Sequence, residues 1–97
     1  YAHRLVARDA SRYYNFGIIS FAAGARNKLH THTCDQILYV TKGRGIVATE
    51  REEVVVTEGD TALIPQGEKH WHGATKDSAF SHISLTQVGS TGQQLED

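Results

Sequence analysis

The sequence is poor in sulfur and proline. It contains one cysteine, one proline and no methionine among 97 residues. Because Cys34 is the single thiol, the chain cannot form an internal disulfide, which favours a reducing compartment. We therefore expect a cytoplasmic location. The first residue is Tyr1 rather than methionine, so a signal peptide removed from upstream stays open as an alternative.

The sequence also lacks a charge excess and long apolar runs. Its 10 basic residues are balanced by 11 acidic ones. A chain without a basic cluster does not offer the positive surface that nucleic acids and anionic membranes bind. No apolar run approaches the roughly 18 residues of a membrane-spanning helix. We therefore expect neither a nucleic-acid partner nor a membrane partner.

Short apolar segments separated by turn residues make up most of the chain, and no segment sustains a helical apolar period. Strands are predicted at 15–22, 37–41, 46–49, 54–57, 61–64 and 79–88, with a turn at 42–45. This pattern is typical of an all-β sandwich or barrel. The length fits a single domain over 1–97, with an N-terminal arm at 1–13 and a polar tail at 89–97.

Four of the six histidines lie in two short stretches, 24–43 and 59–73. His30 and His32 are two residues apart, and side chains at this spacing on a strand point to the same face. Two imidazoles on one face repel each other when both are protonated. A shared metal ion removes that repulsion, because each ring then offers a neutral lone pair.

Gln36 has the same strand parity as Leu38 and Val40, whereas Ile37 and Tyr39 point the other way. An amide on an apolar face is costly unless its polar atoms are bound. Ligation of a metal through the carbonyl oxygen would satisfy it, and so would a hydrogen bond to neighbouring backbone. The residues alone leave both alternatives open.

The two stretches resemble the two conserved motifs of the cupin family. The first motif, G-x5-H-x-H-x3-E-x6-G, is matched by Gly24, His30, His32, Gln36 and Gly43. The second, G-x5-P-x-G-x2-H, is matched by Gly59, Pro65, Gly67 and His70. This sequence departs from the family at Gln36, which replaces the usual glutamate, and at Ala74, where asparagine is common. The resemblance implies a double-stranded β-helix, a jelly-roll-like barrel.

A narrower resemblance is carried by HTH-x3-Q with ILYVTKGRG, then by IPQGEKHWHGA and SHISL. These segments are similar to the small manganese cupins that include bacterial hydroxynitrile lyases and carboxymuconolactone-decarboxylase-associated cupins. The resemblance implies one divalent metal ion, manganese in that group, and a homodimer. Its ligands would be His30, His32, Gln36 and His70. The nitrogen and oxygen donors also suit iron, cobalt, nickel and zinc.

The same resemblance implies a metal-dependent enzyme that acts on a small molecule, as a hydroxynitrile-lyase-like C–C lyase. His82 falls on the active-site histidine of the lyases and would transfer the proton, either alone or together with His72. The ordinary pKa of histidine lies near neutrality, which suits acid–base work. His72 could instead sit at the barrel mouth without chemistry, and His82 could be tied to backbone. An iron-dependent dioxygenase and a non-catalytic metal- or small-molecule-binding cupin are the alternative functions.

Two further expectations concern the scaffold. Ile83 and Leu85 point away from the face that carries His82, and an apolar outer face is usually covered by a partner. This favours the homodimer. Cys34 lies between the ligand segments, and because the loop at 33–35 interrupts the strand, its parity matches neither of them. We therefore expect a thiol of the loop or core.

Overall fold

The computed structural model describes residues 2–4 and 13–95, which form β-strands and no helix. None of these residues therefore belongs to a helix long and apolar enough to cross a bilayer. The strands are β1 (Ala2–Arg4), β2 (Tyr14–Phe21), β3 (His30–His32), β4 (Gln36–Thr49), β5 (Glu53–Thr57), β6 (Thr61–Ile64), β7 (His70–Ala74), β8 (Phe80–Gln87) and β9 (Gly92–Gln94). The all-β class predicted from the sequence is confirmed.

The strands form two antiparallel sheets that share β4. One sheet has the order β1-β2-β8-β4-β6, and the other has the order β5-β4-β7-β3-β9. The first half of β4 pairs with β8 and β6, and its second half pairs with β7 and β5. The two sheets curl into the jelly-roll-like barrel of a double-stranded β-helix. Consequently, side chains from both sheets meet in its interior.

The turn predicted at 42–45 is wrong, because β4 runs without interruption from Gln36 to Thr49. Each residue of this segment has a partner on a neighbouring strand, so the backbone stays in the ladder. A bulge between Val40 and Lys42 provides the bend between the sheets. Gly43 has a φ of 76°, and a Cβ built on it would lie 1.9 Å from the carbonyl oxygen of Ala79. The glycine that indicates a turn is required here for a bent strand.

The predicted alternation along the first half of β4 is confirmed. Gln36, Leu38 and Val40 are buried, whereas Ile37 and Tyr39 are 43% and 45% exposed. Successive side chains on a strand point to opposite faces of the sheet, so a buried amide at position 36 must point into the barrel.

An apolar cluster closes one part of the barrel interior. Val40, Val56, Ala74 and Phe80 are buried together, and Phe21 packs against them. The ring of Phe80 lies over Gly45, where a Cβ would come within 2.5 Å of the ring carbons. The aromatic ring and the bare backbone therefore fill the interior beside the buried histidines without leaving room for a larger residue at 45.

Both ends of the chain add strands to the sheets. Residues 2–4 of the predicted arm form the edge strand β1, paired with β2, while residues 1 and 5–12 lie outside the described part. Within the polar tail predicted at 89–97, residues 92–94 are exposed and form β9 against β3. Because ladder hydrogen bonds join backbone groups, an exposed polar segment can form a strand without burying apolar side chains. Residues 96 and 97 lie outside the description.

Candidate metal centre

Three histidines from two strands meet inside the barrel. His30 and His32 lie on β3, and His70 on β7 is the direct cross-strand partner of His30. Their candidate ligand nitrogens all lie within 4.8 Å of one another. The rings of His30 and His70 are 4.3 Å apart between centroids, and those of His30 and His32 are 4.9 Å apart. This group could hold a metal ion.

The backbone fixes the tautomer of two of these rings. Nδ1 of His30 lies 2.5 Å from the carbonyl oxygen of Lys28, and Nδ1 of His70 lies 2.8 Å from that of Glu68. A carbonyl oxygen only accepts a hydrogen bond, so each Nδ1 carries the proton and each Nε2 keeps its lone pair. Nε2 of His32 is buried and has no hydrogen-bond partner. Such a donor set suits a divalent cation.

Gln36 places a fourth donor at the same point. Its Nε2 donates to Oγ of Ser84 at 2.8 Å, which orients the amide, and its Oε1 lies 3.1 Å from Nε2 of His70. Because Nε2 of neutral His70 carries no proton, this contact brings two lone pairs together. A cation that accepts both lone pairs converts the repulsion into attraction. The four residues therefore fit a bound metal ion.

Near neutral pH, Nε2 of His70 does not gain a proton that it could donate to Oε1 of Gln36. Burial and, to a smaller extent, the charges of His30 and His32 lower the pKa of His70 to about 4, against the opposing hydrogen bond to the backbone of Glu68. Burial and the charge of His30 also lower the pKa of His32. The rings of His32 and His70 are thus neutral at pH 7, which is the form that ligates metals.

A second pair of histidines lies behind this group. His72 is 3% exposed, His82 is fully buried, and Nδ1 of His72 lies 3.1 Å from Nε2 of His82. Burial and then the charge of His82 hold the pKa of His72 well below its ordinary value. Burial also lowers the pKa of His82, against the opposing hydrogen bond to Ile83. Both rings are therefore neutral at pH 7.

The order of the rings places His72 between the metal-ligand candidates and His82. The ring of His72 lies 5.7 Å from that of His30 and 5.9 Å from that of His70. Its centroid is 4.7 Å from that of His82, which also packs against Phe21 and Phe80. The fold thus brings both predicted catalytic residues to the ligand candidates, with His72 as the nearer one.

Sequence reasoning did not identify Asn27 or Ser84 as members of the site. Asn27 lies just before β3 and bonds to both the backbone and the ring of His72. Asn27 stands at a variable position of the first motif and Ser84 lies outside both motifs. The parity that placed Ser84 on the inner face did not indicate its bond to Gln36. Cross-strand contacts of this kind are set by register, which no local pattern reveals.

Cys34 is buried and accepts a hydrogen bond from the backbone N–H of Gln87 through its sulfur at 3.4 Å. The histidine group of 30, 32 and 70 does not include it. The expectation of a loop or core thiol is therefore confirmed for this part of the chain.

Comparison with known proteins gives consistent matches. Residues 17–86 match the model of a family described as "Cupin domain". Over 72 residues, or 71% of the chain, the sequence is 40% identical to an (R)-mandelonitrile lyase of Granulicella tundricola. The matched segment spans 53% of the length of that lyase, so it covers about half of it.

Solved structures with the same fold include a cupin-like protein from Thermotoga maritima. It is 32% identical, with a TM-score of 0.91 over 99% of this chain and 75% of its own. The DMSP lyase DddQ from Ruegeria pomeroyi superposes with a TM-score of 0.85 over 97% of this chain and 50% of its own. That structure is 17% identical, so its likeness concerns the fold alone.

Proposed function

The chain belongs to the cupin domain family, and from this premise we propose that it is a metal-dependent lyase that cleaves a carbon–carbon bond next to a hydroxyl group. The substrate class that we propose is the cyanohydrins, with mandelonitrile as the test compound. The observation that carries the proposal is the donor set, in which Oε1 of Gln36 and Nε2 of His70 converge at 3.1 Å beside the half-buried rings of His30 and His32. The 40% identity to a mandelonitrile lyase supports the choice of substrate.

The metal site that we propose consists of His30, His32, Gln36 and His70, with manganese as the ion. Four neutral donors leave the ion its full charge, so it would act as a strong Lewis acid that polarises the hydroxyl oxygen of the substrate. The chain itself supplies the orientation of the donors. Two backbone carbonyls hold the rings of His30 and His70, and the hydroxyl of Ser84 holds the amide of Gln36.

The buried pair would move the proton. The lowered pKa values keep His72 and His82 neutral, so the pair can accept the proton of the substrate hydroxyl. The carbon–cyanide bond then breaks, the hydroxyl carbon becomes the aldehyde carbonyl, and the bond's electron pair leaves with cyanide. Return of the proton from the pair to cyanide gives hydrogen cyanide and restores the neutral rings.

Cleavage of mandelonitrile by the metal-loaded chain tests this function. We expect release of benzaldehyde and hydrogen cyanide, loss of this release after chelation, and recovery when manganese is restored. A loaded chain that consumes oxygen with an organic substrate but leaves mandelonitrile intact would contradict the proposal in favour of a dioxygenase. Binding without turnover of any cyanohydrin would contradict it in favour of a binding protein.

Gln36→Glu is expected to slow metal loss and lower turnover. The carboxylate adds a negative charge at the ligand position, so affinity should rise by about 10–100-fold, the size of effect that changes around metal ligands have. The same charge reduces the Lewis acidity of the ion. Chelator-driven metal loss and turnover are measured on the same preparations.

Gln66→Glu is the matched control for this prediction. Gln66 is exposed, so the variant has the same charge change outside the barrel. We expect this variant to lose metal and to turn over substrate at the same rates as the original chain. Equal or faster metal loss from the Gln36→Glu protein than from the original chain would refute the assignment of Gln36 as a ligand.

We also propose that a second copy of this chain covers the outer face of the β1-β2-β8-β4-β6 sheet. Register pairs place apolar side chains side by side on this face across four strands. They are Phe16, Ile18, Ile37, Tyr39, Leu63, Ile83 and Leu85. Leu63 is 63% exposed, and a contiguous apolar surface of this kind is typical of an interface.

Light scattering at micromolar concentration should therefore give the mass of a dimer. Leu63→Lys should shift the mass toward that of a monomer, because the interface would bury an unpaired charge. Val55→Lys is the matched control, since Val55 is 56% exposed on the other sheet and should leave the dimer intact. A monomeric original chain would overturn this proposal.

A further inference from the structure

Asp35 makes a contact that the proposed function has not used. It lies directly before Gln36, and its Oδ1 accepts the backbone N–H of Gln66 at 2.8 Å. Gln66 belongs to the turn at 65–68, which leads into β7 and His70. One carboxylate therefore joins the loop that ends at one ligand candidate to the turn that precedes another.

The turn at 65–68 is also bonded to two of the histidines. The backbone N–H of Gly67 donates to the carbonyl oxygen of His32 at 3.0 Å. The carbonyl oxygen of Glu68 accepts a hydrogen bond from Nδ1 of His70 at 2.8 Å, which orients that ring. The position of this turn therefore decides where His70 lies relative to the other ligand candidates.

The strand ladder alone does not fix the position of the turn. In the described chain, His30 and His70 form the one register pair between β3 and β7. Of the two bonds that join the turn to the segment 32–35, the one to Asp35 depends on a side chain. A carboxylate binds an N–H roughly twice as strongly as a neutral acceptor does. Because the donor is a backbone group, Gln66→Glu leaves this bond in place.

We propose that Asp35 is a positioning residue of the metal centre, whose carboxylate holds the turn at 65–68 and thereby sets the separation of the donors of Gln36 and His70. These donors, Oε1 and Nε2, lie 3.1 Å apart, so a small shift of the turn changes how both reach one ion. Asp35 itself is exposed and does not belong to the histidine group of 30, 32 and 70. The inference rests on the metal site of the proposed function and does not depend on its substrate.

Asp35→Ala is expected to weaken manganese binding by about 10–100-fold, the effect typical of removing a group that orients metal ligands. Competition with a chelator measures the dissociation constant. The absorption spectrum of the cobalt-loaded protein should also change, because it reports the number and arrangement of the ligands. A manganese affinity equal to that of the original chain would overturn the proposal.

Asp35→Asn separates the hydrogen bond from the charge. Asparagine keeps an acceptor oxygen at the same place but carries no charge. We expect this variant to regain most of the affinity and the cobalt spectrum of the original chain. If Asp35→Asn binds manganese as weakly as Asp35→Ala, the charge of residue 35 rather than its bond to Gln66 determines the affinity, and the proposal fails.

Asp60→Ala is the matched control. Oδ2 of Asp60 accepts the backbone N–H of Thr57 at 2.8 Å in the turn between β5 and β6, and both residues are exposed. The same substitution there removes the same kind of bond away from the ligand candidates, so the affinity should stay unchanged. An equal loss of affinity in Asp35→Ala and Asp60→Ala would make the effect one of general stability and refute the role of Asp35.

The outcome for the proposed function is separate. If the original chain binds manganese and the variants differ as expected, but no protein cleaves mandelonitrile, the proposed lyase activity fails while the role of Asp35 stands. If the chain cleaves mandelonitrile and Asp35→Ala binds manganese as tightly as the original, the role of Asp35 fails alone. An original chain that binds no divalent ion would overturn both.

Discussion

Replacement of both His30 and His70 by alanine is expected to reduce metal content from about one ion per chain to the background of the preparation. The two rings supply neighbouring donors, with centroids 4.3 Å apart, and each is oriented by a backbone carbonyl. Without them His32 and Gln36 would remain, and two neutral donors do not form the closed site that holds an ion against chelators. Elemental analysis after dialysis measures the loss.

Because His70 is fully buried, the double variant is expected to be less stable than the original chain. A melting experiment therefore separates loss of the metal site from unfolding. A ligand that binds only the folded state raises the melting temperature. We therefore expect added manganese to raise the melting temperature of the original chain and to leave that of the double variant unchanged.

Thr31→Ala combined with Lys69→Ala is the matched control. Thr31 and Lys69 lie next to the ligand candidates in sequence, and the side chain of Thr31 points to the opposite face of β3 from those of His30 and His32. Their replacement should leave the metal content unchanged. A double histidine variant that retains one ion per chain would show that the ion is bound elsewhere.

The part of the site that the sequence predicts is the part fixed by local strand geometry. His30 and His32 face one way because they are two residues apart, and Gln36 is buried because it follows the parity of Leu38 and Val40. These relations need no knowledge of the partner strands. The meeting of His30 with His70 depends on register across 40 positions, and the family motif rather than any local pattern indicated it.

The failures of prediction concern features decided by strand pairing. Residues 42–45 have the composition of a turn, yet each of them pairs with a neighbouring strand, 42 and 43 with β8 and 44 and 45 with β5. The segment 92–94 is polar and exposed, and its strand is defined by backbone bonds to β3. Asn27 forms its hydrogen bonds with a strand that lies 45 positions away. Local composition does not contain this information.

The environment of His82 changes how its catalytic role must be tested. The ring is fully buried between Phe21, Phe80 and His72, so His82→Ala would open a cavity and lower stability as well as remove a proton acceptor. His82→Gln is the better probe. Its amide can still form a hydrogen bond with Nδ1 of His72, which the ring of His82 contacts at 3.1 Å, while the protonatable nitrogen is gone.

His82→Gln is expected to reduce turnover by about 10²–10⁴-fold, the usual contribution of a general acid–base group. Metal content and melting temperature should stay close to those of the original chain, because the residue lies behind His72 rather than among the ligand candidates. Burial lowers the pKa of His82 from 6.5, so the ionisation lost from the pH–rate profile should lie below that value. A profile that loses an ionisation above 6.5 would contradict this assignment.

Three measurements on the His82→Gln protein separate the possible roles of this residue. A fall in turnover with unchanged metal content and melting temperature supports proton transfer. A lower melting temperature with unchanged turnover per folded molecule would make His82 a packing residue of the Phe21 and Phe80 cluster. Loss of the ion would make it a ligand or a support of one, which would require a different ligand set from His30, His32, Gln36 and His70. Because His72 stands between the two groups, the parallel His72→Gln protein should lose as much turnover as His82→Gln if the pair transfers the proton as a unit.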